Sequence, residues 1–431
     1  MRTIRLNEQT RKDIIKDLLK RSPTQYTEYE ETVKEIINDV RDNSDEALFR
    51  LTEKFDGFAL NKDNIRVTED EIESAYASLD PELIGVMERA CANIRSYHEK
   101  QKLNSWIETS ADGTMLGQKI TPLEKVGVYV PGGKAAYPSS TLMNIIPAIV
   151  AGVERIIMVT PANREGKVNA GTLAAAKIAG VSEIYKLGGA QAIAALAYGT
   201  GSVPKVDKIV GPGNIYVALA KKAVYGLVSI DSVAGPSEIL VIADDTANPV
   251  YVAADLLSQA EHDQLASAIL ITTSEKLAAS VNSEIERFVK ELERSEIIKA
   301  SLDNYGFILI AGDMDEAVLT ANEIASEHLE LLTADPYGLM TKIRNAGAIF
   351  IGEYSSEPLG DYYAGPNHVL PTNGTAKFFS PLGVDAFIKR SSIIAYSKDA
   401  LFNAADDIIR FANAEGLTAH ANSIKVRLKQ S

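Results

Sequence analysis

Apolar positions along this chain change their spacing once, decisively, near residue 121. Before that point they recur at helical intervals. Between residues 29 and 55 the pattern runs Val33, Ile36, Ile37, Val40, Leu48, Leu51 and stops at Asp56-Gly57. Residues 70–97 repeat it, with Pro81 marking a break or a fresh helix start. Residues 1 to about 105 therefore read as helical. Beyond 121, short β-branched runs alternate with helical stretches. Strands are expected at 126–130, 155–160, 182–186, 208–210 and 227–230, with helices at 141–152, 170–179, 191–198 and 214–225 between them.

A second series follows the join near Val233-Ala234-Gly235-Pro236. Its strands are expected at 239–243, 268–272, 307–311, 329–332 and 348–351, and its helices at 249–260, 275–291, 314–325 and 335–345. Alternation of this kind implies a parallel sheet with helices on both faces, so the chain reads as two doubly wound α/β units. Residues 352–384 are loop-like and rich in Gly, Pro and Asn, a length that favours function over plain connection. The tail from Asp385 reads as helical, interrupted at Gly416.

Composition narrows the function classes. The formal charge is −14 and the pI about 5.0, which argues against nucleic acid or an anionic membrane as partner. Cys91 is the single cysteine, so neither a disulfide within the chain nor a cysteine-rich metal site is available. Its setting, Arg89-Ala90-Cys91-Ala92, has no glycine turn and suits a buried structural thiol. The charged N-terminal stretch carries no apolar segment of a secretion signal, and the apolar run 145–153 is too short to span a bilayer. A cytoplasmic protein without membrane or nucleic-acid partners is expected.

Three groups of residues carry candidate chemistry. Glycine-rich turns at Pro131-Gly132-Gly133, Gly188-Gly189-Ala190-Gln191 and Gly211-Pro212-Gly213-Asn214 each follow a strand, where open α/β sheets bind ligands. The last two also open helices, whose amides attract phosphate. None completes G-x-G-x-x-G, since Tyr216 takes the last place, and any one alone reads equally as a plain turn. Second, Gln259 and His262 share a helical face and, with Asp361 and His420, form an N/O ligand set suited to zinc, manganese or cobalt. His368 is the rival ligand in the loop of Asp361, and a solvated helix end is the plain reading of His262. Third, Glu327-His328 stands where a helix gives way to a strand; the pair reads either as acid/base groups in a cleft or as helix-end surface residues.

With these motifs collected, the chain resembles the histidinol dehydrogenases almost end to end. The likeness includes residues 33–57, GVYVPGG at 127–133, GGAQAIAALAYGT at 188–200, VGPGN at 210–214 and IDSVAGPSEILVIAD at 230–244. It continues through SQAEHD at 258–263, SEHLE at 326–330, GDYYAGPNHVLPT at 360–372 and EGLTAHANS at 415–423. No departure falls at a position expected to be functional.

The resemblance implies an NAD-dependent oxidation of L-histidinol to L-histidine through L-histidinaldehyde, the last step of histidine biosynthesis. It implies one zinc per subunit on Gln259, His262, Asp361 and His420. Substrate contacts would come from Ser237, Gln259, His262, His328, Asp361, Glu415 and His420. Tyr129, Gln191 and Asn214 would meet NAD, and Glu327 and His328 would be the acid/base residues. The fold implied is a pair of incomplete Rossmann-like parallel-sheet domains with helical N- and C-terminal segments. In that arrangement residues 1–120 pack with the substrate and metal domain, 239–381; residues 121–238 form the NAD side; and 382–431 form a dimerisation tail that completes the partner's site in a homodimer.

Chemistry agrees with these roles. Hydride loss from an alcohol needs a base, and an imidazole suits it. Oxidising an aldehyde needs a nucleophile; with Cys91 expected in a core helix, water activated by a carboxylate must serve. Two other readings share the metal set: a zinc-dependent hydrolase with Glu327 activating water and no NAD, and a metal-dependent binding or scaffold protein.

Overall fold

Strands buried along their whole length need helices over both faces of a sheet. In the computed structural model, which describes residues 1–21, 27–132 and 138–429, such strands build two parallel sheets. The chain opens with β1 (Arg2–Arg5) and α1 (Glu8–Leu19), then α2 (Glu30–Asp56), α3 (Glu69–Ser78), α4 (Pro81–Glu99) and the antiparallel pair β2 (Trp106–Thr109) and β3 (Met115–Pro122). The first alternating series is β4 (Lys125–Tyr129), α5 (Pro138–Ala151), β5 (Arg155–Thr160), α6 (Ala170–Ala179), β6 (Ile184–Lys186), α7 (Gly189–Tyr198), β7 (Lys208–Val210), α8 (Ile215–Val224) and β8 (Ser229–Ile230). The second is β9 (Glu238–Ala243), α9 (Pro249–Ala260), β10 (Ser267–Thr272), α10 (Glu275–Phe288), α11 (Ser295–Tyr305), β11 (Gly306–Ile310), α12 (Met314–Ile324), β12 (His328–Leu332), α13 (Pro336–Met340) and β13 (Ala348–Ile351). Then come α14 (Glu357–Tyr362), β14 (Ile388–Ala395), α15 (Lys398–Ala414) and α16 (Thr418–Leu428).

Local signals explain the boundaries. Thr68 and Glu71 form a reciprocal capping box at the start of α3. Asp80 caps α4 with Pro81 at its first position, and Asn169 caps α6, which ends on the left-handed Gly180.

The first sheet has the order β6-β5-β4-β7-β8. Alternate residues serve opposite cores. Val126, Val128, Ile156 and Met158 join α3, α4, α5 and α6, while Ile157, Val159 and Ile209 join α2, α7 and α8. The second sheet has the order β1-β11-β10-β9-β12-β13. Ile239, Val241 and Leu270 face α9 and α10; Leu240, Ile242, Leu329 and Leu331 face α1 and α12. In each sheet the first strand of its series, β4 or β9, lies inside, with later strands added on both sides.

Met1–Gln101 and Leu123–Phe387 form one compact unit holding both sheets. Lys102–Pro122 and the chain from Ile388 onward form another, built of the antiparallel sheet β14-β3-β2 with α15 and α16. Two expectations therefore change. Among the described residues, β1, α1 and Arg21 of the N-terminal segment pack with the second sheet; the apolar stripes of α2, α3 and α4 match the first sheet's helices and cover it instead. The tail is not wholly helical, because β14 pairs along its eight residues with β3. Its Lys389, Arg390, Ser391 and Ser392 are exposed, so no strand-like alternation marks it. Among the described residues no helix is long and apolar enough to cross a membrane.

Candidate active site

Charged residues stand where the second sheet's core pattern calls for apolar ones. β9 opens with Glu238 and β12 with His328, on adjacent strands. With Leu329 and Leu331 committed to the α12 side, alternation leaves His328 and Glu330 facing α9. That helix answers with Asp255 and Gln259, one turn apart, and α14 adds Glu357 and Asp361, also one turn apart. Two tiers result. In one, His328 Nδ1 lies 3.1 Å from Gln259 Nε2, and its Nε2 lies 3.5 Å from Asp361 Oδ1. In the other, Glu330 pairs with Asp255 and accepts the Glu357 N–H at 2.8 Å.

Glu327 is fixed from behind. Its Oε2 accepts the Glu238 N–H at 2.9 Å and lies 3.4 Å from Gln259 Nε2. Glu238 in turn takes a hydrogen bond from Arg21, whose side chain is wholly buried and also donates to the Leu265 carbonyl. His328 Nδ1 lies 3.1 Å from the Glu238 carbonyl oxygen, so a proton on Nδ1 is held there and Nε2 is the reactive nitrogen. Burial disfavours a charged imidazole, yet the carboxylates of Glu327 and Asp361 outweigh it and hold His328 well above its ordinary value. Burial, then the neighbouring Asp361, pushes Glu357 up to about 8, whereas Asp361, against its own burial, is kept ionised by His328 and His368.

The same groups fit a cation. Gln259 Nε2 faces two acceptors, the Glu238 carbonyl and Glu327 Oε2, at 3.4 Å each, which sets the amide's orientation. Its Oε1 is then left buried without a hydrogen-bond partner among the described residues. Ligand atoms of His262, Glu357 and Asp361 lie within 4.8 Å of one another. Glu357 escaped the sequence reading. Its signal was the four-residue spacing to Asp361, meaningful only once 357–362 is known to be a helix. His368 has both ring nitrogens engaged, Nδ1 with the Asp361 carbonyl at 3.0 Å and Nε2 with Ser140 Oγ at 3.4 Å. Ser237 directly precedes β9. Glu415 directly follows α15 and His420 lies in the first turn of α16; both are exposed and belong to the other unit.

The first sheet offers a different kind of site. A cleft of about 790 Å³ opens at the carboxyl ends of β4, β5 and β6. Tyr129, Gln191 and Asn214 all line it, beside Gly132, Gly188 and Gly189; Gly133 lies outside the described residues. The Gly189 N–H donates to the Tyr129 hydroxyl at 3.2 Å, and Asn214 caps α8. Gly211 carries φ +116°, and a Cβ there would stand 2.0 Å from the Tyr129 carbonyl oxygen. The loop is braced from below by Asp231, which accepts the Gly211 N–H at 2.8 Å, and by the buried Lys221, which donates to the Gly211 carbonyl and pairs with Asp231.

Comparison with known proteins converges on one family. The family profile described as histidinol dehydrogenase matches residues 19–428. The histidinol dehydrogenase of Geobacillus kaustophilus is 58% identical over 403 residues, 94% of this chain and 95% of that one. That of Bacillus subtilis is 56% identical over 410 residues, 95% and 96% of the two chains. A crystal structure of histidinol dehydrogenase from Elizabethkingia anophelis superposes with a TM-score of 0.94 at 38% identity, covering 100% of this chain and 98% of that one. Sequence over nearly the whole length and fold agree, and the chain belongs to the histidinol dehydrogenase family of oxidoreductases.

Proposed function

We propose that this chain oxidises L-histidinol to L-histidine through L-histidinaldehyde, closing histidine biosynthesis, with NAD taking a hydride at each of two steps. The observation that carries the reading is the convergence of Glu327, His328, Gln259 and Asp361 from separate elements into one buried polar group. In the first step His328, through Nε2, removes the hydroxyl proton as hydride leaves the carbon. In the second, Glu327 takes a proton from water as its oxygen adds to the aldehyde, and the hydrate gives up the second hydride. Water is the nucleophile because Cys91 is buried in α4 and burial pushes its thiol up, away from the reactive thiolate.

Zinc would be held by Gln259, His262 and Asp361, with His420 of the partner subunit completing the set in a homodimer. It would supply the charge that orients the substrate's imidazole and amine and loosens the proton that Asp361 helps keep on His328. Ser237 and the partner subunit's Glu415 would contact the substrate beside these groups. Tyr129, Gln191 and Asn214 would meet NAD in the cleft of the first sheet.

NADH formation on adding L-histidinol tests the reading, and chelation should abolish it until zinc, manganese or cobalt is restored. Turnover without NAD, or full activity in rigorously metal-free protein, would refute it. For the shared site, His262→Asn and His420→Asn are mixed so that subunits exchange. A mixed dimer with one intact site should recover toward half of wild-type activity; no recovery in confirmed mixed dimers rules sharing out.

A further inference from the structure

The cleft of the first sheet holds an acidic residue that the sequence marks only as a helix stop and the roles above do not use. Asp56 is the last residue of α2 and lines the cleft wall with Phe55, opposite Gly188 and Gly189. Its placement is unfavourable on two counts. Its Oδ2 is buried without a hydrogen-bond partner among the described residues. Among the described residues no cation pairs with it: Lys167, which also lines the cleft, pairs with Glu165 at 3.1 Å. Burial accordingly pushes Asp56 up to about 6. A group held at such cost beside a ligand cleft needs a ligand to explain it.

The surroundings say which part of a ligand. A Cβ on Gly188 would stand 3.6 Å from Asp56 Oδ1, so the carboxylate lies against the start of α7, the very place where a phosphate would otherwise settle. A fixed negative charge there repels phosphate and favours hydroxyl donors. Resting on the reading of this cleft as the NAD site, we propose that Asp56 accepts hydrogen bonds from the adenosine ribose diol and so selects NAD over its 2′-phosphorylated counterpart. Carboxylate recognition of that diol is the usual device of dinucleotide folds, but there the acid follows the glycine turn within the same βαβ unit. Here it arrives from α2, outside the α/β series, which is why the missing fingerprint does not locate it.

The test is direct binding of NADH and NADPH, by calorimetry without histidinol, to the full-length wild-type protein and to Asp56→Ala and Asp56→Asn. Both variants should bind NADH about ten- to a hundredfold more weakly, the range for a hydrogen bond to a charged group. The preference for NADH over NADPH should shrink by at least as much. In the absence of nucleotide their melting temperatures at neutral pH should hold or rise, since an unpartnered charge has been removed. Unchanged NADH affinity in Asp56→Ala would overturn the proposal. So would a lowered melting temperature with parallel loss of NADH and NADPH binding, which would make Asp56 structural. If the wild type itself binds no NADH while oxidising histidinol with another acceptor, the reading of the cleft fails first and the proposal with it.

Discussion

The two parallel sheets repeat one strand order and put their distinctive residues at opposite ends. In the first, the cleft lies at the carboxyl ends of the strands and is lined where side chains are left out, at Gly132, Gly188 and Gly189. In the second, Glu238 and His328 stand at the amino ends of β9 and β12, and the space is filled by polar groups from α9 and α14. The general rule for open α/β sheets describes the first and not the second. A shared topology therefore tells where a backbone-lined ligand cleft forms; it does not tell where side-chain chemistry is placed.

Removing chemistry from the second sheet should have the largest effect. His328→Asn should slow alcohol oxidation by about a hundred- to ten-thousandfold. Glu327→Gln should still make aldehyde and stall at the step that needs water. Supplying L-histidinaldehyde separately checks the division: equal slowing of both half-reactions by Glu327→Gln would refute it. At the first sheet the corresponding damage is structural. Lys221→Met leaves Asp231 buried without its cation, a loss of about 3–5 kcal/mol, and frees the Gly211 loop. Urea unfolding should report the loss, and NADH binding should weaken more than turnover at saturating NAD. The reverse order, with turnover falling and binding intact, would mean that the brace serves something other than the cleft.

How far the sequence revealed these sites follows from the same contrast. Parallel strands buried on both faces read as unbroken apolar runs, so β5, β9, β10 and β11 were visible, and the glycine turns after β4 and β6 marked the cleft. Strands exposed on both sides carry no such signal: β2 and β14 hold Trp106, Ile107 and Ile394 in the open among polar residues. In the second sheet the motifs SQAEHD and SEHLE displayed Gln259, His262, Glu327 and His328, but which atoms meet depends on α9 and α14 facing one strand. Glu357 and Asp255 were thus invisible as partners of His328 and Glu330. Asp56 was legible only as a helix stop, because nothing local says that the stop borders a cleft.

The smallest expected effect sharpens what the filled site tolerates. Glu330 is wholly buried on β12, with the carboxyl of Asp255 beside it. Burial, reinforced by Asp255, raises Glu330 well above 4.5, and burial raises Asp255 too. A carboxyl raised in the folded protein binds its proton more tightly there than in the unfolded chain. Its contribution to stability is therefore full below the unfolded value and declines as pH rises through the folded one. Glu330→Gln keeps an oxygen for the Glu357 N–H and gives Asp255 a permanent donor, while removing the group that must lose a proton. The variant should match the wild type at acidic pH, where both carboxyls of the pair are protonated, and be the more stable of the two at alkaline pH. Urea unfolding at the two pH values measures this. Equal destabilisation of Glu330→Gln at both would mean that the pair is held by packing and not by a shared proton, and the second tier would then be a structural floor beneath His328.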